Sequence, residues 1–117
     1  MKKKLGLFLA VILVQMAPFI SAADVSRPLV YKIDIKKEIS NTTRLYLSNG
    51  LAEANTLGAD AVLIHMNTYG GQVDAADSMR TAILYSPIPV YVFIDNNAAS
   101  AGALISIACK KIYMRKG

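Results

Sequence analysis

Ser100 is the residue whose neighbours best suit covalent chemistry. It stands in the run Asn97-Ala98-Ala99-Ser100-Ala101-Gly102-Ala103, and the small side chains on either side leave a polypeptide room to reach its hydroxyl. Where a helix begins, the first backbone N–H groups lack intrahelical acceptors and the helix dipole favours negative charge. A tetrahedral acyl-transfer intermediate collects its charge on one oxygen, which needs such donors; losing one typically slows the reaction by about 10²–10³. The pair Gly70-Gly71 is a second source of amides, since glycine lets backbone approach a substrate with no Cβ in the way. Gly71 and Ala101 are the amides this layout suggests. Each segment also has a plainer reading. Gly-Gly marks turns of many kinds, and a serine at a helix start is a common cap.

The base that would activate the hydroxyl is harder to find. Serine is a poor nucleophile until a neighbour takes its proton, and a lysine does so only if desolvation lowers its pKa from about 10.4 towards neutrality. Lys110 and Lys111 fall at the far end of the helix that Ser100 begins, and Lys116 lies in a polar tail, so none of them is a credible base. His65, the sole histidine, has suitable chemistry, but the sequence shows no carboxylate to orient it, which favours a packing or hydrogen-bonding role. Asp74 and Asp77 follow the glycine pair on the first turn of a helix, where acids complement the dipole. They have no visible partners for a metal, and no cofactor site is expected. Cys109 is the only cysteine and lies among Leu104, Ile105, Ile107 and Ala108, so it reads as a buried, inert thiol with no disulfide partner.

The elements that must position these groups follow from periodicity. Leu29 to Ile35 alternates Leu29, Tyr31, Ile33 and Ile35 with Val30, Lys32 and Asp34, which predicts a half-buried strand. Candidate caps from Ser40 to Thr43 precede Leu45, Leu51, Ala52, Ala54 and Leu57, predicting a helix from about Thr42 to Leu57 with Gly58 as its stop. The helix carries Gly50, at a cost of about 1 kcal/mol relative to alanine. Ala61 to Met66 predicts a strand buried on both faces, broken by Asn67-Thr68-Tyr69-Gly70-Gly71. Val73, Ala76, Met79, Ala82 and Ile83 recur at helical spacing until Pro87 and Pro89 end the run. Val90 to Ile94 predicts another buried strand, Asp95 to Ala99 a turn, Ser100 to about Ala108 a short helix, and Lys111 to Met114 a last strand. Alternating strands and helices build a parallel α/β sheet with crossover helices. Ligands of such sheets sit beyond the carboxyl ends of the strands, where both candidate loops fall. No capping element follows the final apolar run, so the domain reads as truncated.

Composition narrows the setting. Met1-Lys2-Lys3-Lys4, an apolar stretch from Leu5 to Ile20, and Ser21-Ala22-Ala23 have the layout of a secretory signal peptide, so residues 1–23 are read as a leader and 24–117 as the domain. Three of the thirteen basic residues belong to that leader. Ten bases against eight acids then remain, a formal charge of +2 instead of +5, which offers no electrostatic case for nucleic-acid binding.

Ala61-Val62-Leu63-Ile64, Asn67-Thr68-Tyr69-Gly70-Gly71, Pro87-Ile88-Pro89-Val90 and Ala98-Ala99-Ser100-Ala101-Gly102 together resemble the ClpP-class membrane serine proteases of the NfeD family, relatives of signal peptide peptidase SppA. The resemblance covers the chain after the leader and implies a ClpP/crotonase-like fold. It also implies Ser100 as nucleophile, an oxyanion hole of Gly70, Gly71 and Ala101, and a lysine base from a segment beyond Gly117. Tyr69 departs from the pattern, since many relatives carry proline there. As further implications, the substrate would be a polypeptide, with stomatin-like membrane proteins as partners or substrates. The protein would be a homo-oligomer, exported across or attached to the bacterial cytoplasmic membrane on its extracytoplasmic side. Membrane-spanning segments and a small β-barrel would follow in the complete protein. Without its base, the 117-residue chain is expected to be catalytically incomplete. Two other functions compete: a non-catalytic scaffold of the same family, favoured by the missing lysine, and a crotonase-type acyl-CoA enzyme, disfavoured by the export signal.

Overall fold

The computed structural model describes residues 26–117, so the leader assigned to 1–23 lies outside the described residues. The expected strands become β1 (Val30–Ile35), β2 (Ala61–Thr68), β3 (Val90–Ala98) and β4 (Lys111–Met114), joined by the helices α1 (Asn41–Thr56), α2 (Val73–Leu84) and α3 (Ala101–Ile107). The strands form one parallel sheet in the order β1-β2-β3-β4. Each connection steps the same way across the sheet, and right-handed crossovers then place every helix on one face.

That topology corrects the expectation that β2 is buried on both sides. Its residues alternate half-buried and buried, and so do those of β3 as far as Asp95. Ile33, Ile35, Val62, Ile64, Met66, Val92 and Ile94 face the helices and meet Leu47, Ala76, Met79 and Ile105 in the core. Lys32, Asp34, Leu63, His65, Tyr91 and Phe93 occupy the other face, which no described helix covers.

Local chemistry explains the helix ends. Ser40 caps α1 in a reciprocal box: its Oγ accepts from the Thr43 N–H at 3.4 Å, and Thr43 Oγ1 accepts from the Ser40 N–H at 2.7 Å. Gly50 has a packing role, since a Cβ there would come within 2.8 Å of Ile33 Cδ1, so α1 lies close on β1. The two inner strands outrun their expected ends. β2 reaches Thr68 and β3 reaches Ala98, because the ladder resumes as a Thr68–Ala98 pair after a register shift between Met66 and Thr68. Asp95 to Ala98 is therefore strand and not turn, which carries Ser100 farther up the molecule, to the level of the glycine pair.

Candidate active site

Ser100 follows β3 directly and adopts φ 51°, ψ −115°, making it the sole non-glycine residue with positive φ among the described residues. Such backbone costs on the order of 1–3 kcal/mol and persists only where the surroundings impose it. A strained strand-to-helix turn of this kind is one way in which a fold presents a side chain outward. The residue is exposed, and its side chain makes no capping bond to α3. The plainer reading of Ser100 as a helix cap is thereby removed.

The glycine pair lies against this serine. A Cβ on Gly70 would stand 2.9 Å from Ser100 Cβ, 3.1 Å from the Ala99 carbonyl oxygen and 3.3 Å from the Ala101 nitrogen. Any other residue at 70 would push into the nucleophile's turn. Gly71 is confined on its other side, where a Cβ would approach Ile39 O to 2.1 Å. Both have φ in the region L side chains rarely adopt, 113° and 152°. Main-chain bonds hold the strip in place: the Ile39 N–H donates to Gly70 O and the Gln72 N–H to Ile39 O, each at 2.8 Å.

The amides of this strip differ in their commitments. The Gly70 N–H donates to Thr68 Oγ1 at 3.2 Å. Among the described residues the Gly71 and Ala101 N–H groups have no protein acceptor. Of the three amides expected at an oxyanion hole, Gly71 and Ala101 are therefore the two without a protein partner among the described residues, while Gly70 makes the close approach to the Ser100 turn. A cavity of about 480 Å³ opens beside the glycine pair, lined by residues 67–71 and by Lys36, Lys37 and Glu38 but not by Ser100 or Ala101, with Tyr69 81% exposed.

Neither Lys110 nor Lys111 reaches this point, whereas Lys36 and Lys37 line the cavity beside the glycine pair. The Lys110 N–H bonds to Val90 O at the start of β3, the end of the sheet opposite Ser100, Lys111 begins β4 at that same end, and Lys116 is exposed. His65 has carboxylates after all, contrary to the sequence reading. Its Nδ1 lies 3.0 Å from Asp34 Oδ1 and its Nε2 3.1 Å from Asp95 Oδ2. Parallel strands place three residues far apart in sequence side by side, which no local pattern announces. With both ring nitrogens engaged, His65 has none left for a serine. Around it, burial works to raise the Asp34 carboxyl, but hydrogen bonds and charge from Lys32 and Lys36 outweigh that and hold it below the ordinary carboxylate value. Arg115 pairs with Asp95, so ion pairs run across the open face from β1 to the residue after β4. Asp74 sits in the first turn of α2 and Asp77 pairs with Arg80 on the same helix. Cys109 is half-buried against the core and not fully buried as expected, and its partial burial pushes the thiol up to about 12.

The sequence reading also missed Thr68 and Asn67. Thr68 is 3% exposed and touches both chemical loops, and Asn67 Oδ1 accepts the Asn97 N–H at 3.2 Å beside the nucleophile's approach. A hydroxyl two residues before a glycine pair is the available signal, and it is a faint one.

The profile of a family described as NfeD1b, N-terminal domain, matches residues 29–117. The chain belongs to the NfeD1b family. The membrane protein NfeD1b of Bacillus subtilis (strain 168) is 35% identical over 95 residues, covering 81% of this chain and 22% of that protein. The membrane-bound protease PH1510 of Pyrococcus horikoshii is 29% identical over 102 residues, covering 85% of this chain and 23% of its own length. Among solved structures, a lysine-to-alanine mutant of the 1510-N membrane-bound stomatin-specific protease, in complex with a substrate peptide, superposes with TM-score 0.70 at 29% identity over 77% of this chain and 42% of that one. ClpP1 from Listeria monocytogenes gives TM-score 0.60 at 25% identity over 68% and 46%. This NfeD1b-family chain thus has the ClpP-like α/β fold and spans under a quarter of the curated relatives it matches. Its relation to a protease family is established.

Proposed function

We propose that this NfeD1b-family chain carries the nucleophile and oxyanion hole of a serine endopeptidase of the ClpP/SppA class, acting on membrane-associated polypeptides. The strained turn at Ser100, exposed, uncapped and pressed against Gly70, is the observation that carries this reading. Ser100 Oγ attacks the scissile carbonyl carbon and gives its proton to a base. The carbonyl π electrons move to oxygen, where the Gly71 and Ala101 amides hold the charge. Collapse of that intermediate expels the amine, which takes the proton from the base, and water then hydrolyses the acyl-enzyme ester. The base is a lysine expected beyond Gly117, as the family resemblance implies; Lys110 and Lys111 lie at the opposite end of the sheet and both ring nitrogens of His65 are engaged.

A stomatin-like membrane protein as substrate, a membrane-attached setting on the extracytoplasmic side and a homo-oligomeric state belong to the same proposal. The names of the relatives support the substrate and the membrane attachment: one is a membrane-bound stomatin-specific protease and the other a membrane protein. Among the described residues no helix is long and apolar enough to cross a membrane.

Fluorophosphonate labelling and peptide hydrolysis provide the test. The 117-residue chain should show little or no turnover, whereas the full-length protein should label and cleave, and Ser100→Ala should abolish both. Turnover by the short chain that depends on Ser100 would refute the external base. A full-length protein that binds a membrane polypeptide yet never labels would favour the scaffold reading, for which the placement of Lys110 and Lys111 at the opposite end of the sheet speaks.

A further inference from the structure

Four segments converge on the buried residue Thr68, and none of the contacts involves the reacting atoms. Its Oγ1 donates to Lys37 O at 2.8 Å, just past the end of β1. The same oxygen accepts the Gly70 N–H at 3.2 Å. Its carbonyl accepts the N–H of Ala99, the residue before Ser100, at 3.1 Å. Its Cγ2 occupies the space a side chain at 102 would need, since a Cβ there would come within 2.6 Å, so the first turn of α3 seats on the methyl. A hydroxyl carries one proton and accepts through its lone pairs, so this one is used in both directions with a defined polarity. That polarity turns the Gly70 amide inward and leaves the next amide, that of Gly71, without a protein acceptor.

We infer that Thr68 is a positioning residue: its hydroxyl locks the Gly70 amide away from the substrate and so fixes the Gly71 amide as oxyanion donor, in register with the turn that Thr68's carbonyl ties to Ser100. The inference rests on the serine-protease reading above. Preorganised donors act because they need no reorientation when charge develops, so loosening the strip lowers turnover more than it weakens ground-state binding.

The experiment uses the full-length protein with Thr68→Val, which keeps the shape and removes the hydroxyl, and Thr68→Ser, which keeps the hydroxyl and removes the methyl. The valine variant should lose about ten- to hundredfold in kcat with KM changed less than about threefold, and the serine variant should stay within about threefold of the parent. Hydrogen exchange at the Gly70 amide supplies a readout independent of catalysis, and should accelerate at least about tenfold in the valine variant alone. Parent-like kcat in Thr68→Val, unchanged Gly70 exchange, or equal loss in Thr68→Ser would each overturn the inference, the last by assigning the effect to the methyl on Gly102. Should the valine variant not fold, Thr68→Ala read against Thr68→Ser decides in the same way. Ser100→Ala separates the two levels. If it abolishes hydrolysis while Thr68→Val does not impair it, only the role of Thr68 fails; if it leaves hydrolysis intact, the protease reading and the inference fall together.

Discussion

At the scale of single residues, chemistry here is held by backbone that glycine and strain make possible. Ser100 holds a conformation that suits glycine better than serine. Ser100→Gly should raise stability by about 1 kcal/mol while removing the hydroxyl, a change visible as a later denaturant midpoint. Gly71→Ala should act the other way. Its methyl meets the Ile39 carbonyl, a main-chain atom that cannot swing aside, and a loss above about 2 kcal/mol is expected by the same measurement. Cys109 offers a titration. Its folded value of about 12 lies above the ordinary 9.0 because burial disfavours the thiolate. A raised acid is stabilising while both states are protonated. The unfolded chain then sheds its proton first, so stability falls as pH rises from about 9 towards 12. Cys109→Ala should flatten that fall relative to the parent between pH 8 and pH 10, and equal slopes would contradict the half-buried thiol.

Among the elements, the caps and the open sheet face do separate jobs. Ser40→Ala should cost about 1 kcal/mol, because Ser40 Oγ no longer satisfies the Thr43 amide at the start of α1. The histidine bridge ties the three strands β1, β2 and β3 on the face without helices. A ring with both nitrogens protonated donates to Asp34 and Asp95 at once, and a neutral ring to one only. His65→Ala leaves two carboxylates facing each other without that donor. Asp34 retains Lys32 and Lys36, and Asp95 retains Arg115, so the expected loss is modest, about 1–2 kcal/mol in denaturant unfolding. Hydrolysis should survive in His65→Ala full-length protein within the limits of its stability. A specific loss of turnover at full folding would restore His65 as a base.

On the scale of the whole molecule, one-way crossovers put the helices on one face of the sheet and both chemical loops at one end of it. The end that carries Ser100 also carries the glycine strip and the 480 Å³ cavity. Lys110 and Lys111 sit at the other end, and on the proposed reading the base comes from beyond Gly117. Adding the chain beyond Gly117 should therefore change Ser100 from unreactive to labelled without any substitution in the described domain, an outcome that gel-based fluorophosphonate labelling reads directly.

The sequence alone determined the order of elements and the parallel sheet, and marked the serine and the glycine pair as candidates, because periodicity, turn residues and motif spacing are all local. It did not determine where β2 and β3 end, since Asn67, like Asp95 to Ala98, is a poor strand former and the ladder resumes only through the Thr68–Ala98 pair. Nor could it disclose the carboxylates on His65 or the four-way junction at Thr68. Those contacts join residues about thirty positions apart. Only the packing of neighbouring strands, whose register is set by the core-facing side chains on the opposite side of the sheet, brings such partners within bonding distance.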